Sequence, residues 1–341
     1  MKTGSQPHPG RFAFVLAVVV AMALAFPAVA NPGLVFLAGV VAINVVLGLS
    51  FNLLFSTAGL LSFGQSAFSA AGAYTTAVLL LKVPDLPFLL VLAASALVGA
   101  ALALALGIIA LKRTEGVYFA VLTLAFSALL HVVIAKTTAL GRNDGLTGIP
   151  RPRIDLGVTS VDLAQGQNFY VFVVLLTAAV TAVLWWVTHS RLGRSFRAIR
   201  LDPMRAMFLG IDVRRRRLEA FAIAGATTAL AGALIGPLTS IVSPDLAHWA
   251  ESTKPILFTL LGGAGAFWGP AVGAVMFAGI EYGTRTLAGA SDLITGGLLL
   301  AVVLAVPGGV LGLAARLVNR KRAPALAASP ERMKVAVGGK P

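Results

Sequence analysis

An all-α polytopic membrane bundle is the fold class this sequence predicts, and three observations predict it. Hydrophobic residues make up 58% of the 341, and charged residues only 12%, where soluble domains carry about 25% charge. Apolar runs near 20 residues recur along most of the chain, each long enough to cross a hydrocarbon core of about 30 Å. The positive charge gathers in a few segments between these runs and at the two ends. In lipid the backbone must satisfy itself, so the runs are helices; the short alternating strands of a β-barrel are missing from the sequence.

Ten membrane segments follow, at roughly 11–30, 34–55, 58–81, 86–110, 117–135, 168–189, 218–239, 253–266, 269–288 and 292–314. Positive segments stay inside. That rule places the N-terminal residues 1–10, the turn at 112–115, the segment 190–217 and the tail 316–341 in the cytoplasm. The loops 82–87, 136–167 and 240–252 then face outward. Ten crossings bring both ends of the domain 11–315 back to the cytoplasmic side, which agrees with the basic tail. That tail is rich in Ala, Pro and Lys/Arg without periodicity, and is expected to be disordered. The first segment ends in "FPAVA", a pattern shared with secretory signals. We read it as a retained helix, and the topology downstream is the same either way.

Several function classes drop out. The chain has no cysteine, and His8, His131, His189 and His248 lack ligand spacing, so no metal site is expected. No G-x-x-x-x-G-K-[ST] occurs, so no ATP-binding loop is expected in this chain. "GGAGAFWG" puts Trp268 where a dinucleotide fingerprint needs glycine, and "GQSAF" puts Phe68 where a nucleophile elbow needs one. No catalytic group and no cofactor is expected. A net charge of +14 raises nucleic acid, but basic residues interleaved with aromatics and a binding fold are both missing.

The third segment, "STAGLLSFGQSAFSAAGAYTTAV", carries Ser62, Gln65, Ser66, Ser69, Gly72, Ala73 and Thr76 at spacings of three and four. On a continuous helix these fall on one face. Such a stripe either packs helices together or lines a translocation path, with Gln65 offering donors and acceptors. Asn52 on the preceding segment is a second intramembrane amide. Glu281 and Arg285, four apart with the acid first, are expected to pair along a helix. Gly265, Gly269 and Gly273 form a doubled G-x-x-x-G, expected to make a tight helix contact, with a sharp turn at 266–270 before Pro270.

The segment 191–217 holds nine arginines against Asp202 and Asp212. Asp202 followed by Pro203 is an N-cap and first-turn proline, and Gly210 is a C-terminal stop. Between them lies a short helix of about two turns. Ala206, Met207 and Gly210 are expected to form one small, smooth face, beside Met204 and Phe208. Arg197, Arg200 and Arg205 flank it and are expected to meet acidic groups of a docking protein or anionic lipid headgroups.

At these residues the sequence resembles the LivM-type permease subunits of ATP-binding-cassette importers for branched-chain amino acids. The resemblance runs from about residue 34 to 314 through "NLLFSTAGLLSFGQSAFSAAGAYTTAVL", "RTEGVYFAVLTLAFSALL", "RNDGLTGIP", "RAIRLDPMRAMFLGID", "FAIAGATTALAGAL" and "LLGGAGAFWGPAVGA", in that order. It implies one half of a heterodimeric channel with a LivH-type permease, two cytoplasmic ATP-binding subunits and a periplasmic amino-acid-binding protein. It implies that residues 203–210 are the coupling helix, with Ala206 and Gly210 as its small-residue core. Arg205 departs from the usual glutamate, and Leu201 from the usual acid. The same importer class with another solute (urea, amides, aromatic acids) would read almost identically, and a secondary transporter is the more distant alternative.

Overall fold

The computed structural model describes residues 9–113, 116–155, 160–284, 296, 297, 300 and 308–313. Most of the expected tenth segment, the tail, and the expected partner of Glu281, Arg285, lie outside them.

Among the described residues six helices are long and apolar enough to cross a membrane. They are α1 (Pro9–Ala25, continued by a 3-10 turn to Ala28), α2 (Pro32–Asn52), α4 (Phe88–Arg113), α5 (Val117–Lys136), α6 (Gly166–His189) and α9 (Val213–Ala233). Shorter helices fill the rest: α3 (Gln65–Lys82), α7 (Arg191–Leu201), α8 (Pro203–Phe208), α10 (Ile235–Thr239), α11 (Thr253–Gly262) and α12 (Gly269–Thr284).

α9 is the centre of the bundle, because small residues let its neighbours reach its backbone. A Cβ added at Gly232 would lie 1.9 Å from the Ser69 carbonyl oxygen of α3, and one added at Gly72 would lie 2.0 Å from that of Ala229. Gly225 and Gly99 make the same contact with α4, each facing the other's carbonyl. Backbones this close maximise dispersion where lipid offers no hydrophobic drive. α1 joins at its first turn, where Phe12 is buried and stacks on Trp185 of α6 with ring centres 4.3 Å apart.

The third expected segment is not one helix. α2 runs into a π-helical turn, Leu53–Ala58, then residues 59–64 are non-helical and α3 starts only at Gln65. Ser62 therefore does not share a helix face with Gln65. Its hydroxyl instead accepts from the Gly64 amide at 3.2 Å. Gly59 and Gly64, two of the glycines (with Gly72) expected to permit close backbone approach or a helix break, interrupt the helix where Ser/Thr side chains can satisfy the freed backbone; Thr123 Oγ1 accepts from the Phe63 amide at 3.0 Å.

The loop 240–252 is likewise not simply external. It starts where β4 (Ile241–Val242) pairs antiparallel with β1 (Leu146–Thr147) of the long loop. That loop also carries the antiparallel pair β2 (Arg153–Asp155) and β3 (Ser160–Asp162). From β4 the chain descends between α3 and α5. Tyr74 donates to the Val242 carbonyl, His131 lies 3.0 Å from that of Pro244, Ser127 donates to that of Ala247, and Ser252 accepts from the Ser66 amide. From Tyr74 to Ser66 is about 12 Å along α3. So the segment expected at 253–266 is preceded by irregular chain packed inside the bundle, and its helix, α11, is only 10 residues long. Irregular backbone survives at this depth because it is enclosed by protein and its carbonyls are capped by hydroxyls.

The expected glycine contact also moves. Gly265 has nothing within 4 Å of an added Cβ, because it sits in the turn between α11 and α12. The close pair is Gly262 with Gly269, where a Cβ on Gly262 would lie 1.7 Å from the Gly269 carbonyl oxygen, and Gly273 with the Phe258 carbonyl at 1.9 Å. The seam thus comprises Gly262, Gly269 and Gly273, and Pro270 stands in the first turn of α12 as expected.

Candidate functional site

Two features stand out, one inside the bundle and one on its arginine-rich end. Inside, the start of α3 meets α9 and the descending segment in a buried polar cluster. Gln65 is 1% exposed. Its Oε1 accepts from Thr228 Oγ1 at 2.5 Å, while its Nε2 is buried with no partner. Thr228 Oγ1 lies 2.8 Å from Ser50 Oγ, which also accepts from Thr227 Oγ1 at 2.9 Å. Ser66 forms a second knot, with Ser127 Oγ at 2.5 Å and Ser252 Oγ at 2.7 Å.

Gln65, Ser66 and Ser69 line one wall of a cavity of about 210 Å³. α2 supplies Asn44 and apolar side chains, and α11 and α12 close it with Lys254 and Glu281. The remaining residues of the sequence stripe are elsewhere. Thr76 lies 2.8 Å from Ser95 of α4, Ser62 is in the helix break, and Asn52, near the end of α2, is buried with its Oδ1 unpartnered and does not line the cavity. The α-helical period brings Gln65, Ser66 and Ser69 to one side, but Thr76 rotates onto the α4 interface.

The cluster yields one prediction. Thr228→Val removes the donor to Gln65 Oε1 without changing shape, so a second buried amide atom loses its partner. Expected is a stability loss of about 1 kcal/mol, read as a lower midpoint for thermal unfolding of the solubilised protein.

On the arginine-rich end, α8 is a short, fully capped helix. Asp202 Oδ1 accepts from the Arg205 amide at 3.1 Å. At the other end the Gly210 amide donates to Met207 and the Ile211 amide to Ala206, at 2.9 and 3.1 Å. This paired closure needs the left-handed backbone of Gly210, φ 78°.

The expected faces of this helix are corrected. Ala206 is 1% exposed and points into the protein, so it seats the helix, and Gly210 closes it. The outward surface is Leu201, Met204, Met207, Phe208 and Leu209, with Phe208 at 86% and Leu209 at 78% exposure. Two of the flanking arginines also bond within the chain. Arg197 donates to the Thr188 carbonyl at 2.7 Å, and Arg200 to that of Ser56. Both tie α7 to neighbouring helix ends. Burial first, then the nearby Arg194 charge, lowers the Arg197 pKa. Arg205 stays outward and pairs with Asp202 at 2.8 Å.

Residues 33–306 match the family described as branched-chain amino acid transport system, permease component. The chain belongs to that family. The permease is 30% identical over 318 residues to the high-affinity branched-chain amino acid transport system permease protein LivM of Escherichia coli K12, covering 87% of this chain and 74% of that one. It is 30% identical over 136 residues to LivH of Salmonella typhimurium, covering 39% of this chain and 44% of LivH. It is 31% identical over 135 residues to the fructose import permease protein FrcC of Rhizobium meliloti, covering 36% and 37%. No solved structure matches it. It is a multi-pass membrane transport subunit.

Sequence periodicity missed Ser50, Ser127, Thr227, Thr228, Glu251 and Lys254. The Thr227-Thr228 pair in an otherwise Ala/Gly-rich run, and Glu251 three residues before Lys254, are signals that could have found four of them.

Proposed function

We propose that this chain is one half of the translocation channel of an ATP-binding-cassette importer in the cytoplasmic membrane, passing branched-chain amino acids. It pairs with a LivH-type permease, receives substrate from a periplasmic amino-acid-binding protein, and is moved by two cytoplasmic ATP-binding subunits. The family and the similarity to LivM support the substrate class. The observation that carries the mechanism is α8: Met204, Met207 and Phe208 are exposed on a doubly capped helix at the arginine-rich end, with exposed Leu201 and Leu209 flanking it. An exposed apolar patch of that kind marks a protein or membrane contact, and the docking groove of an ATP-binding subunit is the contact proposed for it. Movement of an ATPase groove would then be passed through α8 and α7 to the helix ends that Arg197 and Arg200 hold, reorienting the bundle.

The cavity behind Gln65 is the path segment in this reading. Gln65→Leu is expected to slow ATP-driven leucine uptake about tenfold or more in reconstituted vesicles, through loss of a buried polar group that substrate must pass. Unchanged uptake kinetics would reduce the cluster to helix packing.

A second solute class has one observation in its favour, the partial similarity to a fructose import permease. Uptake by the complete importer across branched-chain amino acids, amides, urea, aromatic acids and fructose decides between them.

A further inference from the structure

Two cavities stand end to end along one face of α2. The cavity of about 210 Å³ takes Val40, Ile43 and Asn44 from that helix. A second, of about 600 Å³, takes Val35 and Phe36. These positions recur every three or four residues and form one stripe, with Gly39 between the two groups. The larger cavity is also lined by Gln165, Gly166 and Gln167, at the start of α6. From there α6 runs about 36 Å to the arginine-rich end. The larger cavity therefore lies at the opposite end of the bundle, and the smaller one lies deeper along α2. Leu238 lines both. Its Cδ1 and Cδ2 stand 3.4 and 3.6 Å from where a Cβ on Gly39 would be, and Tyr170 of α6 comes within 3.8 Å of the same point. The missing side chain at 39 is the notch that admits the leucine. An apolar constriction of this kind keeps water and polar solutes apart without any charge.

α10, which carries Leu238, is held between the smaller cavity and the long loop. Ile235, Leu238 and Thr239, three and four apart, face the cavity. Gly236 faces the other way, where an added Cβ would meet Val242 at 3.1 Å and Ile149 at 3.2 Å. The long loop ties α10 by two hydrogen bonds. Arg151 Nε donates to the Pro237 carbonyl at 3.2 Å, and the Ile149 amide donates to that of Ser240 at 3.3 Å. Arg151 is itself fixed, with Nη1 donating to the Ala164 carbonyl at 3.2 Å and the guanidinium 5.9 Å from the Phe169 ring centre. Ser240 ends α10 with a φ of 61°. A non-glycine residue in that region is strained, and persists there only because its surroundings impose it. A one-turn helix that ends on a strained residue and is tied from outside is an element that can shift as a unit.

We infer that Leu238 seated on Gly39 is the barrier between an outward chamber and the inner cavity, and that the long loop holds it shut through Arg151 and Ile149. The inference rests on the transport reading above, which makes the two cavities successive parts of one path. Displacing the long loop pulls on α10 and lifts Leu238 from its notch. Opening on this side is thus set by the loop, at the end of the bundle opposite α8. Closure needs no charged group, so the barrier is indifferent to which solute waits in the chamber.

The chain has no cysteine, so an introduced thiol is unique in it. The test places Asn44→Cys in the inner cavity or Gln167→Cys in the outward chamber, in the full importer complex in spheroplasts. A membrane-impermeant trimethylammonium methanethiosulfonate is added outside, and its rate of reaction is read on the purified permease. Asn44→Cys is expected to react about tenfold or more slowly than Gln167→Cys, because a dewetted constriction stands before it. Adding Leu238→Ala is expected to raise the Asn44→Cys rate about tenfold or more while Gln167→Cys keeps its rate, which shows that the chamber is intact. Adding Arg151→Met, which keeps the stem and removes the donors, is expected to raise it about tenfold, the loss of one charge-assisted hydrogen bond from the closed state. If Leu238→Ala does not accumulate in the membrane, Arg151→Met decides. Equal rates for Asn44→Cys and Gln167→Cys in the otherwise unaltered chain, or no change with Leu238→Ala, overturn the barrier. No change with Arg151→Met overturns the tie to the loop. Leucine uptake by the unaltered importer separates these failures from the deeper one. Uptake without the expected labelling removes the barrier and leaves the transport reading standing. The expected labelling without uptake of any branched-chain amino acid removes the transport reading and leaves a gated cavity.

Discussion

Replacing Phe208 with aspartate leaves the permease folded in its membrane and stops ATP-driven uptake. Phe208 is 86% exposed on α8, so the charge costs the isolated chain almost nothing. At a docked interface the same charge would replace a buried aromatic anchor. Anchors of this kind are worth about 2–4 kcal/mol when truncated, roughly 30- to 1,000-fold in ATPase affinity, before the cost of burying the carboxylate is added. Ala206→Asp is the matched contrast. Ala206 is 1% exposed against its own chain, so a carboxylate there is buried without a partner and should lower the yield of folded permease instead. Detergent-stable expression paired with co-purification of the ATPases reads both. If Phe208→Asp retains the ATPases and transports normally, α8 is not the docking helix.

Gly232→Leu is expected to prevent the bundle from assembling. The added Cβ alone would stand 1.9 Å from the Ser69 carbonyl oxygen, which no rotamer can relieve because the obstacle is backbone. α3 must then move away from α9, opening the seam that also holds the Thr228–Gln65 hydrogen bond and the wall of the cavity. Overpacking in a core costs about 1–3 kcal/mol, and more where backbone must shift. Gly265→Leu is the control, since Gly265 has open space around its Cβ. Size-exclusion profiles of the two solubilised variants distinguish them: loss of the monodisperse peak for Gly232→Leu, and its retention for Gly265→Leu. Equal profiles would mean that the α3–α9 seam is looser than the backbone approach indicates.

Much of the candidate site was legible in part. The polarity of Gln65, Ser66 and Ser69 in an apolar run marked them, because lipid penalises exposed polar groups and so forces them inward. Their partners were not legible. Thr228, Ser127 and Ser252 are 163, 61 and 186 residues away from the groups they bond, and helical periodicity carries no information across such distances. Asp202, Pro203 and Gly210 were readable as helix signals because caps are local chemistry. Which side of that helix faces out was not local, and it reversed the role of Ala206.

The sequence by itself determined the membrane class, the arginine-rich end and the family. Hydrophobic length, charge placement and motif order are properties of the chain alone, fixed by the bilayer as a solvent. Only the tertiary structure decided where the helices of the segments expected at 58–81 and 253–266 begin, that Gly262 rather than Gly265 makes the seam, and that Glu251, Lys254 and Glu281 share a cavity with Gln65. Those outcomes depend on which backbones touch. A glycine or hydroxyl gains its meaning from the carbonyl that arrives opposite it, and that carbonyl comes from a distant part of the chain.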